Sequence, residues 1–143
     1  QMFKETQKSL PVDVAIFSAA VADFKVAEKS DIKIKKKDEL TIQLEKNVDI
    51  LNYVSNHNSM RPKLVVGFAA ETNNLEINAI KKLKDKNCDM IIANDVSNQS
   101  IGFISDFNEV TIFYKNHKKE KLFSKKKSLI SEEIVERINN QLN

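Results

Sequence analysis

The stretch Leu64-Val65-Val66-Gly67-Phe68-Ala69-Ala70, with Glu71-Thr72-Asn73-Asn74 behind it and Met90-Ile91-Ile92-Ala93 further on, decides the fold. Both apolar runs lack polar alternation, so each reads as a strand buried on two faces, which requires helices on both sides of the sheet. Between them, Leu75 to Lys86 places Leu75, Ala79 and Leu83 one turn apart behind a Thr72, Asn73, Asn74 capping cluster. That spacing predicts an amphipathic helix. Strand, helix, strand is the order of a βα unit in a mainly parallel sheet.

Working outward, Val12 to Ala22 predicts another buried strand. Val48 to Asn56 predicts a helix with Ile50, Leu51 and Val54 on one side and Asp49 near its start. From Asp31 to Leu44 apolar residues alternate with polar ones around Lys36, Lys37, Asp38 and Glu39, the pattern of a hairpin projecting from the sheet. Glu109 to Tyr114 and Glu120 to Phe123 flank the polar Lys115 to Lys119 stretch as a second, antiparallel hairpin. Leu129 to Leu142 closes the chain as an amphipathic helix. The expected class is α/β, one three-layer domain over residues 1–143, with a mainly parallel sheet, a projecting β-hairpin arm and a C-terminal antiparallel hairpin plus helix.

The 143 residues, 41% of them hydrophobic, suffice for one core and not two. A net charge of +3, from 23 basic and 20 acidic residues, gives no broad nucleic-acid footprint. The lysines cluster at Lys33 to Lys37, Lys81 to Lys86 and Lys125 to Lys127, and such clusters hold phosphates locally. A lone Cys88 excludes an intramolecular disulfide and a multi-cysteine metal cage, and fits a reducing compartment, so the expected location is cytoplasmic. No apolar run is long enough to span a bilayer, and Gln1 to Leu10 has no signal-peptide core. Met2 and Phe3 read as the middle of an uncapped helix, so the chain is expected to begin inside a larger polypeptide.

The only glycines are Gly67 and Gly102, so neither a dinucleotide fingerprint nor a P-loop is present. Zincin and nucleophile-elbow motifs are also absent, and His57 and His117 read as solvated. Polar residues do stand where parallel strands end, which is where open α/β sheets bind ligands: Asp23 and Phe24, Glu71 and Thr72, Asn94 and Asp95. Thr72 and Asn73 serve equally well as caps, whereas Asp23 and Asn94 follow apolar runs that deliver them to a crevice floor. Lys33 and Lys35 share one face of an alternating strand. Lys82 and Lys86 sit one helical turn apart, a like-charge spacing that costs about 0.2–0.5 kcal/mol unless an anion or the nearby Asp85 relieves it. Lys37, Lys81, Lys84 and Lys125 to Lys127 read as solvated surface.

Taken in order, several segments resemble one family, the phosphopantothenoylcysteine synthetases of coenzyme A biosynthesis. They are Ala19-Ala20-Val21-Ala22-Asp23-Phe24, Lys33-Ile34-Lys35-Lys36, Leu44 to Ile50, Gly67-Phe68-Ala69-Ala70-Glu71-Thr72, the Lys82 and Lys86 pair, Ala93-Asn94-Asp95-Val96, and Gly102-Phe103 through Asp106 and Asn108. The resemblance implies a Rossmann-like fold and a ligase that joins 4'-phosphopantothenate to L-cysteine through an acyl-cytidylate, using CTP accompanied by Mg²⁺. By family correspondence Phe17, Ser18 and Ala19 line the base pocket and Asp23 sits beside the nucleotide. Lys33 is the catalytic residue and meets the charge developing at phosphorus. Val48, Asp49, Ile50 and Leu51 offer a helix start to phosphate, Phe68 packs near the nucleotide, and Lys82 and Lys86 complete the cationic lining. The 31–44 arm is implied to form a homodimer and to bring residues near the neighbouring site.

Two departures stand out. Val48 occupies a position where the family usually has proline, a residue suited to the first turn of a helix. The family's glycine-rich segment and its serine, glycine and asparagine-rich phosphate loop have no counterpart, so the chain is expected to be the larger part of a synthetase and not a self-sufficient one. FMN would enter only through a flavin-dependent decarboxylase fused upstream. The other readings of these residues are a Rossmann-type nucleotide-binding oxidoreductase and a non-enzymatic module whose lysines bind an acidic partner.

Overall fold

The computed structural model describes residues 1–35, 40–97 and 105–143. The elements run α1 (Met2–Ser9), β1 (Val14–Phe17), β2 (Phe24–Val26), β3 (Leu44–Lys46), α2 (Ile50–Ser55), β4 (Leu64–Glu71), α3 (Leu75–Asp85), β5 (Met90–Asp95), β6 (Phe107–Tyr114), β7 (Lys119–Lys126) and α4 (Lys127–Leu142). A five-stranded sheet has the order β1-β4-β5-β6-β7, and β2 pairs with β3 in a separate ribbon. β1, β4 and β5 are parallel, with Val14 beside Leu64 and Val66 beside Met90; β6 and β7 extend the sheet antiparallel. This is the expected mixed α/β architecture, including the C-terminal hairpin and helix.

The uninterrupted apolar runs of β4 and β5 divide between two cores, because successive side chains leave a strand on opposite faces. Leu64, Val66, Met90 and Ile92 join Ile112, Tyr114 and Leu122 under α4, whose Ile130, Ile134 and Ile138 recur every four residues. Val65, Ala69, Ile91 and Ala93 join Phe113 under α3, which supplies Ala79 and Leu83. Cys88 is buried in this second core, and burial pushes its thiol up to about 11, so it is not a thiolate at neutral pH.

At the amino ends of β4 and β5 the Arg61 guanidinium binds three segments together. It donates to Ser55 O at 2.8 Å, to Asn87 O at 2.9 Å and to Asp89 Oδ2 at 3.0 Å. Asp89 Oδ2 in turn accepts from the Val65 N–H at 2.8 Å. The carboxyl end of α2 is thereby fixed to the sheet, which fixes where its amino end points.

Several local expectations change. The strand expected over Val12 to Ala22 is limited to Val14–Phe17; β1 leaves its pairing with β4 at Phe17 and Gly67, and the Ser18 to Asp23 stretch is exposed. The arm begins earlier than the alternation suggests. Its paired strands are Phe24–Val26 and Leu44–Lys46, so only Leu44 of the expected 31–44 hairpin lies in a strand among the described residues; 36–39 fall outside them. Neither strand is buried, and a lone two-stranded ribbon has no layer against which alternation can be sorted. The Thr72 to Asn74 cluster supplies no side-chain cap to α3: Asn74 is left-handed, with φ 47°, and Asn78 Nδ2 reaches back to Glu71 Oε2 at 2.8 Å. His57 is half-buried and not fully solvated; its Nδ1 accepts from the Met60 N–H at 3.1 Å.

Gly67 sets the distance between α2 and the sheet. A Cβ there would lie 2.7 Å from Ile91 Cδ1 and 3.2 Å from Leu51 Cδ2. Gly67→Ala is therefore expected to destabilise the fold by about 1–3 kcal/mol through overpacking, as read by urea denaturation. A midpoint at or above the parent's would show that α2 does not pack as closely as described.

Candidate functional site

A crevice of about 850 Å³ runs from α1 along β1 to the carboxyl ends of β1, β4 and β5. Phe17 and the Ser18 to Asp23 segment come from the end of β1, Phe68 to Ala70 from β4, and Asn94 from β5. The start of α2, Val48 to Leu51, forms one wall, and Lys82 of α3 and Lys86, the residue capping that helix, line another. The position follows from the parallel pairing: β1, β4 and β5 run in one direction and end on the same edge of the sheet, and the crevice lies beyond those ends.

Of the residues assigned to the site from sequence, the crevice brings together Phe17, Ser18, Ala19, Asp23, Val48, Asp49, Ile50, Leu51, Phe68, Lys82 and Lys86. Lys33 is not among its lining; it is exposed, in the arm between β2 and β3. Lys35 is likewise exposed and outside it. Among the strand-end residues, Asp23 and Asn94 line the crevice and Phe24, Glu71, Thr72 and Asp95 do not. Glu71 instead accepts from Asn78, and Asp95 closes its own turn by accepting from the Ser97 hydroxyl at 2.6 Å. Gly102 and Phe103 lie outside the described residues.

The charges are interlocked. Asp49 is the N-cap of α2: its Oδ1 accepts from the Asn52 N–H at 2.8 Å, while its Oδ2 accepts from Lys86 Nζ at 2.5 Å. Lys82 Nζ donates to the Phe68 carbonyl at 2.7 Å. The like-charge pair is thus relieved chiefly by Asp49, while Asp85, which takes Lys81 at 2.6 Å, adds a smaller favourable charge to Lys86. Burial pulls the Asp49 carboxyl upward, but the hydrogen bonds from Lys86 and Asn52 and the charges of Lys86 and Lys82 outweigh it, leaving the group below its ordinary value. Lys86 is correspondingly raised, first by its hydrogen bond to Asp49, with Asp23 adding a favourable charge. Both partners are held in their charged forms.

Asn47 is the residue that sequence reasoning left without a role. Its N–H donates to Asp23 O at 2.8 Å and its Nδ2 donates to Ala22 O at 2.7 Å, which clamps the loop bearing Asp23 to the residue two before the α2 cap. Its only signal in the sequence was its place within the Leu44 to Ile50 match. Among the described residues no three His, Cys, Asp or Glu side chains group as a metal site. No helix among them is long and apolar enough to cross a membrane.

Three kinds of similarity meet at this geometry. The family model described as the DNA/pantothenate metabolism flavoprotein C-terminal domain matches residues 1–142. Over 127 residues the chain is 43% identical to the coenzyme A biosynthesis bifunctional protein CoaBC of Bacillus subtilis, covering 88% of this chain and 31% of that protein. Over 128 residues it is 47% identical to the protein of the same name from Haemophilus influenzae, covering 87% of this chain and 32% of that one. The chain spans about a third of the length of the curated relatives it matches. The crystal structure of the C-terminal domain of CoaBC superimposes with a TM-score of 0.72 at 33% identity, over 99% of this chain and 59% of that one. A DNA/pantothenate metabolism flavoprotein from Streptococcus pneumoniae, at 22% identity and TM-score 0.73 over 99% of this chain and 67% of that one, shares the fold.

Asp49→Asn keeps a good N-cap but removes the charge that pairs with Lys86. Because the folded pKa of Asp49 lies below its unfolded value, its contribution is present above about pH 4 and is lost as the pH falls through the depressed folded value. The parent is expected to exceed the variant by about 0.5–1 kcal/mol at pH 7, with the gap closing in acid, measured by urea denaturation across pH. A gap that does not change with pH would show that the Asp49 and Lys86 pair contributes no charge-dependent stability.

Proposed function

The chain belongs to the family of DNA/pantothenate metabolism flavoprotein C-terminal domains, and from that premise we propose that it forms the synthetase site of a phosphopantothenate–cysteine ligase in coenzyme A biosynthesis. The observation that carries this reading is the crevice, where two lysines one turn apart at the carboxyl end of α3 meet the start of α2 and the floor left by β1 and β4. A triphosphate needs cations that are already placed and already charged, because reorganising them during reaction raises the barrier. Lys82 and Lys86 meet that need, tethered by the Phe68 carbonyl and by Asp49.

In the proposed reaction the carboxylate of 4'-phosphopantothenate attacks the α-phosphorus of CTP. The bond to the β-phosphate oxygen breaks, and pyrophosphate leaves with its charge neutralised by the lysines. The amine of L-cysteine then attacks the acyl-cytidylate carbonyl, forming the amide, releasing CMP and losing a proton. The backbone at Phe17, Ser18 and Ala19 is proposed to hold the cytosine, with Phe68 beside the nucleotide. Mg²⁺ is proposed as the companion of the triphosphate, held chiefly by the phosphates.

Lys33 stands apart from the crevice lining, so its proposed role requires the arm of a second copy. The arm suits such a partner: Phe24, Val26, Ile32, Ile34, Leu40, Ile42 and Leu44 are all exposed, Ile32 to 81%, and an apolar ribbon of this kind is marginal alone in water. We therefore propose a homodimer in which each arm delivers Lys33 to the neighbouring crevice. A cytoplasmic location accords with the substrates.

The test uses the full-length protein with CTP, Mg²⁺ and 4'-phosphopantothenate, and measures pyrophosphate. Release should depend on phosphopantothenate and vanish in both Lys33→Ala and Lys86→Ala. Mixing the two inactive chains should restore about a quarter of the parent activity, since half the random dimers are mixed and each has one intact site. Release without phosphopantothenate, or tight NAD(P)H binding in its place, would overturn the ligase. A mixture as inactive as its components would overturn the exchange of arms and leave the ligase standing.

A further inference from the structure

A second cavity, of about 370 Å³, lies at the opposite end of the sheet, between α3 and the turn from β6 to β7. It shares no lining residue with the crevice. Its place follows from the antiparallel register: Tyr114 sits opposite Met90, so the chain leaving β6 turns beside the start of β5 and the end of α3. The floor is apolar, built from Ile80 and Leu83 of α3 and Phe113 of β6, with Leu83 and Phe113 buried.

The rim is cationic. Lys84, Lys115, Lys118 and Lys119 share the lining with one carboxylate, Glu76, and Lys115 also lies 4.0 Å from Asp89 Oδ1 outside it. Glu76 is already neutralised, because its two oxygens accept from Lys119 Nζ at 2.9 and 3.0 Å. Lys115 donates to Asn87 Oδ1 at 3.0 Å. Among the described residues Lys84 and Lys118 pair with no carboxylate, and Lys118 Nζ lies 5.6 Å from the centroid of the Tyr114 ring. Lys84, which the sequence presents as ordinary solvated surface, therefore stands over an apolar recess with its charge uncompensated.

A recess of this volume accommodates a small organic molecule, and an apolar floor beneath unpaired ammonium groups complements only one kind. We propose that this cavity binds a small amphipathic anion: a phosphate head group meets Lys84 and Lys118 while a compact apolar or aromatic body rests on Ile80, Leu83 and Phe113. Neither half suffices alone. Lysines on a flat surface would take any anion weakly, and an apolar recess without them would not select for charge.

Titration calorimetry on the full chain separates these cases with three probes: phenyl phosphate, inorganic phosphate and phenol. Phenyl phosphate should bind at least about tenfold more tightly than either other probe. The double substitution Lys84→Glu with Lys118→Glu, both at exposed positions, should weaken it at least about tenfold, while Lys86→Ala in the crevice leaves it unchanged. Equal binding of phenyl phosphate and inorganic phosphate would reduce the cavity to a charged surface. Loss of binding in Lys86→Ala with the double variant unaffected would assign the probe to the crevice, and no detectable heat with phenyl phosphate at millimolar concentration would overturn the proposal outright.

Discussion

β4 and β5 are covered on both faces, and the rest of the molecule is arranged to make that possible. α4 closes one side with its isoleucine stripe, and α3 closes the other with Ala79 and Leu83. α2 packs on the same side, where Gly67 presents no side chain between Leu51 and Ile91. With Arg61 holding its far end to Asp89 and Asn87, α2 has one position available, and its N-cap points toward the ends of the parallel strands. The crevice is what remains when strands buried on both sides stop and their helices do not follow them.

That geometry explains the charge arrangement. A lysine beside bulk water is mobile, and holding it for a phosphate costs side-chain entropy at the moment of binding. Lys86 is instead ordered in advance by Asp49, and Lys82 by a backbone carbonyl. Asp49 serves two purposes through its two oxygens, capping α2 and anchoring Lys86, so helix placement and site electrostatics rest on one carboxylate. Asn47 extends the same economy to the loop of Asp23.

What the sequence disclosed follows from how local each signal is. Buried strands announce themselves by uninterrupted apolar runs, and Leu64 to Ala70 and Met90 to Ala93 did so within a residue or two. The strand-end crevice then followed from the parallel order of the strands, which is why Asp23 and Asn94 were recognisable as its lining, whereas Lys82 and Lys86 were assigned to it through the family resemblance. Exposed elements carried no such information. The Asp31 to Leu44 alternation overstated strand in an arm that buries neither face, and the small residues after Phe17 resembled strand where β1 had already left its partner. Interactions between residues distant in sequence were also invisible. Asp49 with Lys86, Asn47 with Ala22 and Glu76 with Lys119 join segments that no periodicity connects.

The most direct measurement is a crystal structure of the full-length protein with CTP bound. The phosphate oxygens are predicted to lie within hydrogen-bond reach of Lys82 and Lys86 Nζ, with the cytosine against the Phe17 to Ala19 backbone. Density for CTP elsewhere on the molecule, with the crevice empty, would contradict the assignment of this site to the nucleotide.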